Sequence, residues 1–304
     1  MGASRISQTL LIVVLSVSLC IPCAFAENTE SLFPSWKERC VEFFHDVVPF
    51  RTRRQTEAEI QEAFRKIADE LENNDFRVTR DFDQVANRYG ALFRNFLNSL
   101  GSEDQWIDVG AGAALVQRTY FPKDFLHGVI GGGSYKNSPR LTSVAIRRPA
   151  EGRTIGPDGK TLSEFEKETK SPFRYIEGRI QDIDKDLLGK AKLITDNIAA
   201  RSYDPEFLRQ PEALFKLYGN LLVPGGRAYI SHQKFWILDK RGKAHPFKEY
   251  FHKLKGFRVL KADGVNTILE RTREPVSAPA IRLVRIDPVT ESTANPPCYY
   301  EYVN

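Results

Sequence analysis

Gln105-Trp106-Ile107-Asp108-Val109-Gly110-Ala111-Gly112-Ala113-Ala114-Leu115 is the stretch of this 304-residue chain whose reading decides the fold. Trp106, Ile107 and Val109 are apolar and favour extended backbone, so Gln105–Val109 reads as a short buried strand. Gly110 and Gly112 follow as a turn, and Ala113–Thr119 starts a helix. Strand, glycine turn and helix form the first unit of a doubly wound α/β sheet. Such a turn presents backbone N–H groups at a helix N-terminus. A nucleotide-like ligand can approach them closely, because glycine has no Cβ to block it.

Working outward from the turn, strand patterns recur between helical ones. Leu141–Ile146, Phe173–Glu177 and Ala191–Asn197 read as the second to fourth strands. A helix over Pro211–Leu222 then runs through Val223-Pro224-Gly225-Gly226 into a fifth strand, Arg227–Ser231. Glycine suits the left-handed cap there, and proline forbids continuation of the helix. Phe257–Ala262 and Asn266–Arg271 flank the hairpin turn Asp263-Gly264. With right-handed crossovers the seven strands make a mostly parallel doubly wound sheet whose last strand is antiparallel. Upstream, Thr56–Asn73 and Asp81–Leu100 each carry one apolar stripe at helical spacing, and Trp36–Val48 is a shorter candidate. The expected organisation is a helical region over 27–100, the sheet domain over 101–273 and an irregular tail over 274–304, with Ile281–Ile286 as a candidate edge strand.

Asp108-x-Gly110-x-Gly112-x-Ala114 and Leu222-Val223-Pro224-Gly225-Gly226, in this order, resemble the first motif and the helix-to-fifth-strand turn of class I S-adenosylmethionine-dependent methyltransferases. The resemblance spans roughly Asp81 to Arg271. It implies S-adenosylmethionine as cofactor: Asp108, Gly110, Ala111 and Gly112 hold its methionine part, Ile180 faces its adenine, and Asp196 sits near the transferred methyl. Asp196 and His232, at the ends of the fourth and fifth strands, are the catalytic candidates; His245 lies beyond. Helices ahead of the first strand often close the cofactor cleft in this family, and a plain packing layer is the other reading. The phrase Asp196-Asn197 to Tyr203 resembles the family's fourth motif without its Asn/Asp-Pro-Pro-Tyr/Phe form, so amino-methylation of adenine or glutamine has no support.

The chain departs from the family pattern at three places. Ala114 replaces the third glycine, a small residue that still allows close packing. Arg147 and Arg148 follow the second strand, where the family has an acid for the ribose hydroxyls; a guanidinium offers no acceptor. The nearest acid is Glu151. Arg179 stands where an Asp meets the adenine amino group. Two further readings therefore stay open: a methyltransferase-like binding module that has lost its cofactor, and another Rossmann-type enzyme using an anionic nucleotide.

The first 26 residues read as a secretory signal peptide: Arg5, an apolar run Leu10–Ile21 and the cleavage pattern Ala24-Phe25-Ala26. The run is short of the ~20 apolar residues that span a bilayer. The expected product is secreted or periplasmic. Cys40 and Cys298 would remain, either as a disulfide in an oxidising compartment or as two unrelated buried thiols. No Cys/His cluster has metal-ligand spacing. Gly131-Gly132-Gly133-Ser134 lacks the Gly-Lys-Ser/Thr of a phosphate loop. The net charge of +5, from 44 Lys and Arg against 39 Asp and Glu, is spread along the chain and does not point to a nucleic-acid or membrane partner. The sequence does not identify the methyl acceptor.

Overall fold

The structure is a computed structural model that describes residues 52–73, 81–112, 114–120, 139–145, 148–149, 151–152, 159, 161–168, 173–183, 185–197, 205–232, 235–287 and 297–303. The signal segment, Trp36–Val48, Cys40, Arg147, Gly131-Gly132-Gly133 and Tyr203 lie outside the described residues. In chain order come α1 (Glu57–Asn73), α2 (Phe82–Tyr89), α3 (Ala91–Asn98), β1 (Gln105–Val109), α4 (Leu115–Tyr120), β2 (Arg140–Ala145), α5 (Leu162–Glu168) and β3 (Phe173–Glu177). They are followed by β4 (Ala191–Asn197), α6 (Pro205–Arg209), α7 (Pro211–Leu221), β5 (Leu222–Ser231), β6 (Phe235–Leu238), β7 (Ala244–Pro246) and α8 (Lys248–Phe251). The last strands are β8 (Phe257–Ala262), β9 (Asn266–Arg271), β10 (Ile281–Ile286) and β11 (Cys298–Tyr302).

Among the described residues seven strands join in the order β3-β2-β1-β4-β5-β9-β8. The β1–β2, β1–β4, β2–β3 and β4–β5 pairs are parallel, and β9 is antiparallel to both β5 and β8. This is the expected α/β methyltransferase-like sheet. β1 lies between β2 and β4, where the direction of winding reverses, and this is the place at which doubly wound sheets bind ligands.

Each face of the sheet has its own apolar layer. Ile107, Val109, Val144, Ile194 and Ile230 pack with Leu214, Phe215 and Tyr218 of α7. On the opposite face Trp106, Leu141, Leu193 and Tyr229 pack with Val85, Tyr89, Phe93 and Leu97. The helices ahead of β1 are thus part of the core: Val85 and Phe93 are fully buried, and the Tyr229 hydroxyl donates to the carbonyl of Leu92 at 2.8 Å. The single helix expected over Asp81–Leu100 is two, because Gly90 adopts φ 68 between them. α1 begins at a reciprocal capping box: Glu59 N–H donates to Thr56 Oγ1 at 3.3 Å, and Thr56 N–H donates to the Glu59 carboxylate at 2.7 Å.

The tail departs from its expected irregularity. β10 and β11 join β6 and β7 in a second sheet of order β10-β11-β6-β7, so Ile281–Ile286 is an edge strand of this sheet and not of the large one. Its edge is covered by Gln55, whose backbone N–H donates to Val284 O and whose side-chain amide bonds both the N–H and the carbonyl of Ile286. Cys298 is buried in β11, opposite Ile286. No described helix is long and apolar enough to cross a membrane.

The Pro-Gly-Gly turn works differently from the sequence reading. The helix stops because Leu222 is already extended, and Val223–Gly226 belong to the irregular start of β5. Gly225 is left-handed at φ 79. A Cβ on Gly226 would lie 2.9 Å from the carbonyl oxygen of Val223 and 3.0 Å from that of Ala191, and backbone atoms cannot step aside. We expect Gly226→Ala to cost about 1–3 kcal/mol, read as a lower thermal midpoint. An unchanged midpoint would contradict the close approach.

Candidate functional site

The backbone leaving β1 carries left-handed residues at every second position: Gly110 at φ 69, Gly112 at φ 53 and Ala114 at φ 59. Ala114 is the one positive-φ residue other than glycine among the described residues, and it is fully buried. A Cβ in that conformation costs roughly 1–2 kcal/mol, so the replacement of the third glycine is a strained one, contrary to the expectation of a cheap change. The amides are also less bare than expected. Gly110 and Ala111 both donate to the carbonyl of Val144, at 2.8 and 3.0 Å, and extend the β1–β2 ladder. The carbonyl of Gly112 accepts from the Tyr175 hydroxyl of β3 at 2.6 Å. Burial pushes the Tyr175 phenol well up, so it stays a neutral donor. The turn itself remains partly exposed at Gly110, Ala111 and Gly112.

Asp108 lies beneath this turn and is 1% exposed. It shares a face of the sheet with Ser143 and Thr195, its partners across β2 and β4. The Thr195 hydroxyl donates to Asp108 Oδ1 at 2.5 Å and accepts from the Trp106 indole N–H at 3.0 Å. Asp108 Oδ2 is buried without a hydrogen-bond partner. Burial pushes the carboxyl up to about 7; the charge of Asp196 acts in the same direction, and the Thr195 hydrogen bond opposes both. Asp108 is therefore held inside the protein, bonded across the sheet to Thr195 just ahead of the turn.

The remaining candidates lie at the same carboxyl edge, and the structure accounts for each one. Asp196 is fully buried, and its Oδ2 accepts from the Tyr218 hydroxyl of α7 at 2.8 Å. Ile180 opens a short 3-10 turn after β3 and is buried in the larger core cluster. Arg179 beside it is exposed, with its backbone N–H bonded to the Asp182 carboxylate at 3.0 Å. His232 is fully buried, its Nε2 lies 2.9 Å from Thr267 Oγ1, and its ring centroid is 5.0 Å from that of Phe251. His245 is elsewhere, on β7 of the second sheet. Among the described residues no group of His, Cys, Asp and Glu side chains is arranged to hold a metal.

Beyond the end of β2, a cleft of about 260 Å³ is lined by Arg148, Glu151, Thr161 and Ser163, among others. Arg148 pairs with Glu166, and its guanidinium lies 5.2 Å from the Tyr175 ring centroid. The Glu151 carboxylate and the Ser163 hydroxyl are acceptors in this lining, whereas the Thr161 hydroxyl is taken up in a capping box with Glu164. The sequence reading singled out Glu151 but missed Tyr175, Thr195 and Tyr218. Thr195 was visible only as a hydroxyl residue inside an apolar strand. The two tyrosines carried no separate signal.

No family model and no curated protein matches the sequence. The fold is similar to that of N-methyltransferase NodS from Bradyrhizobium japonicum, at 13% identity over 64% of this chain and 100% of that one, with a TM-score of 0.36. The [4+2]-cyclase SpnF matches at 10% identity over 67% of this chain and 72% of that one, TM-score 0.36. Phosphoethanolamine N-methyltransferase 2 from Haemonchus contortus, solved with S-adenosyl-L-methionine, matches at 14% identity over 55% of this chain and 35% of that one, TM-score 0.33. These likenesses are remote, and it is the strand order that identifies the fold.

The Asp108 carboxyl gives a pH test. Its proton is held up to about pH 7 in the folded chain but leaves near pH 4 in the unfolded one. Between those values the native state binds the extra proton, so this residue's contribution to stability falls as pH rises and levels off above about 7. The full swing is on the order of 4 kcal/mol. Asp108→Asn mimics the protonated form. Its melting temperature relative to wild type should climb from pH 4 to pH 7 and then stay flat; a constant difference would mean that Asp108 ionises normally.

Proposed function

We propose that this chain is an exported S-adenosylmethionine-dependent methyltransferase. The observation that carries the reading is the left-handed turn Gly110–Ala114, at the carboxyl end of β1 where the sheet reverses its winding. Bound there, the cofactor supplies an electrophilic methyl group on sulfur. The chain's own part is positioning: Gly112 gives close approach at the start of α4, and Asp108 with Thr195 fixes the backbone beneath it. Glu151, lining the cleft past β2, accepts from the ribose hydroxyls in place of the residue occupied by Arg147. Asp196 and His232 are bonded to Tyr218 and Thr267, and in this reading they shape the carboxyl edge without exchanging protons with an acceptor. Export rests on the signal pattern ending at Ala26.

A second reading is a binding module on the same scaffold that no longer takes the cofactor. Arg179, exposed after β3 where the family has an acid, favours it. So does the bonding of Gly110 and Ala111 to Val144.

Isothermal titration of the full chain with S-adenosylmethionine and S-adenosylhomocysteine separates the two. We expect saturable binding of both, weakened tenfold or more by Gly112→Ala and by Glu151→Ala. No heat and no thermal shift at millimolar ligand would leave the module reading in its place.

A further inference from the structure

The second sheet contains a fork. β6 and β11 run parallel but pair only from Cys298↔Phe235 to Tyr300↔Ile237. Beyond that point β6 turns back into β7, and β11 continues along β10 to Tyr302. Between the separated ends lies a groove of about 810 Å³, with Ile237, Leu238 and Tyr302 among its apolar lining. β6 starts just past the carboxyl end of β5 and the fork lies at its far end, so this groove is distinct from the glycine turn.

The charges around the groove are unevenly committed. Arg54 and Arg282 both bond the Glu301 carboxylate through their Nε atoms, at 2.8 and 2.7 Å, and Arg282 adds its Nη2 to the same carboxylate. Two guanidinium groups on one carboxylate leave a net positive charge, and the terminal nitrogens of Arg54 bond nothing among the described residues. Lys240 is exposed on the same groove and pairs with no carboxylate among the described residues. On the acidic side, Asp239 Oδ1 accepts the backbone N–H groups of Arg241 and Lys243, and its Oδ2 lies 3.4 Å from His245 Nε2. Glu249 lies 3.9 Å from His245 Nδ1. The lining thus carries three carboxylates (Asp239, Glu249 and Glu301) against three permanent cations, and Lys240 and the terminal nitrogens of Arg54 are the donors left without a carboxylate among the described residues. The Tyr302 hydroxyl, in the wall, is buried without a hydrogen-bond partner.

We propose that the fork binds an organic anion with an apolar body. A carboxylate or phosphate-monoester head sits against Arg54, Arg282 and Lys240, and its hydrocarbon part rests on the half-buried Tyr302 and the exposed Val303. A guanidinium presents paired donors that match either head group, and Lys240 adds a mobile point charge. The Tyr302 ring and the Val303 side chain favour an apolar body over a bare inorganic ion.

The test is two-dimensional amide NMR of the full chain, titrated separately with phenyl phosphate and 3-phenylpropionate. Inorganic phosphate serves as a head without a body, and benzylamine as a body with the opposite charge. We expect at least one organic anion to bind saturably and to shift amides of residues 237–240 and 301–303, with inorganic phosphate at least tenfold weaker and benzylamine silent. Which of the two anions binds more tightly identifies the head group. Lys240→Ala, which removes a side chain that pairs with no carboxylate among the described residues, should weaken binding about threefold with an unchanged melting temperature. Arg282→Gln should weaken it about tenfold. The proposal is overturned if neither anion saturates, if benzylamine binds as well, or if both variants keep full affinity. It is overturned equally if the shifts appear only around residues 108–116, and a failure of S-adenosylmethionine to bind leaves it untouched.

Discussion

Between Val109 and Leu115 the chain must leave the centre of a sheet, reverse and start a helix without a long loop. It does so with three left-handed residues at alternate positions, and the site depends on that constraint. Gly110 and Gly112 adopt the conformation without strain; Ala114 adopts it against its own Cβ. The turn is held from two sides, by the Val144 carbonyl of β2 and the Tyr175 hydroxyl of β3. Asp108, two residues ahead of it, is buried and bonded to Thr195. Burial strips that carboxyl group of the hydration that stabilises its charge, and this is why its proton is retained so far above the ordinary carboxylate range.

The polar groups around β1 form a hydrogen-bonded belt inside an apolar core, in which Asp108 Oδ2 is left without a partner among the described residues. The Ser143 hydroxyl donates to the Gln117 side chain at 2.8 Å, and the Gln105 amide donates to the Arg140 carbonyl at 3.0 Å and the Thr142 hydroxyl at 2.9 Å. Such bonds are directional and fix the strand against its neighbours and against α4 more sharply than apolar contact does. The second sheet stands apart from this belt: its inner face joins the aromatic cluster of Phe247 and Tyr300, and its outer end carries exposed charge.

The large sheet was legible because its signals are local. β1, β3, β4, β8 and β9 fall where strand patterns bounded by glycine, proline and Asp-Gly place them. The second sheet was not, although Phe235-Trp236-Ile237-Leu238 is a short apolar run and Cys298–Tyr302 is rich in aromatic residues. The two segments are far apart in the chain and pair in parallel, and no turn signal announces a contact of that kind. The position of Gly90 explains the other difference, since a single left-handed glycine breaks a helix whose apolar stripe continues on both sides. In the site, sequence position located Asp108, Asp196 and His232 at the correct edge. Spacing could not tell that their side chains turn inward, because burial is decided by Thr195, Tyr218 and Thr267 from other strands and helices.

The central claim is that the backbone after β1 receives an adenosyl ligand. Amide hydrogen exchange followed by mass spectrometry, with and without S-adenosylhomocysteine, addresses it at the residues concerned. The account predicts that the ligand slows exchange in peptides covering 110–116 and 148–152 and leaves the second sheet unchanged. Equal exchange in those peptides at saturating ligand would contradict it.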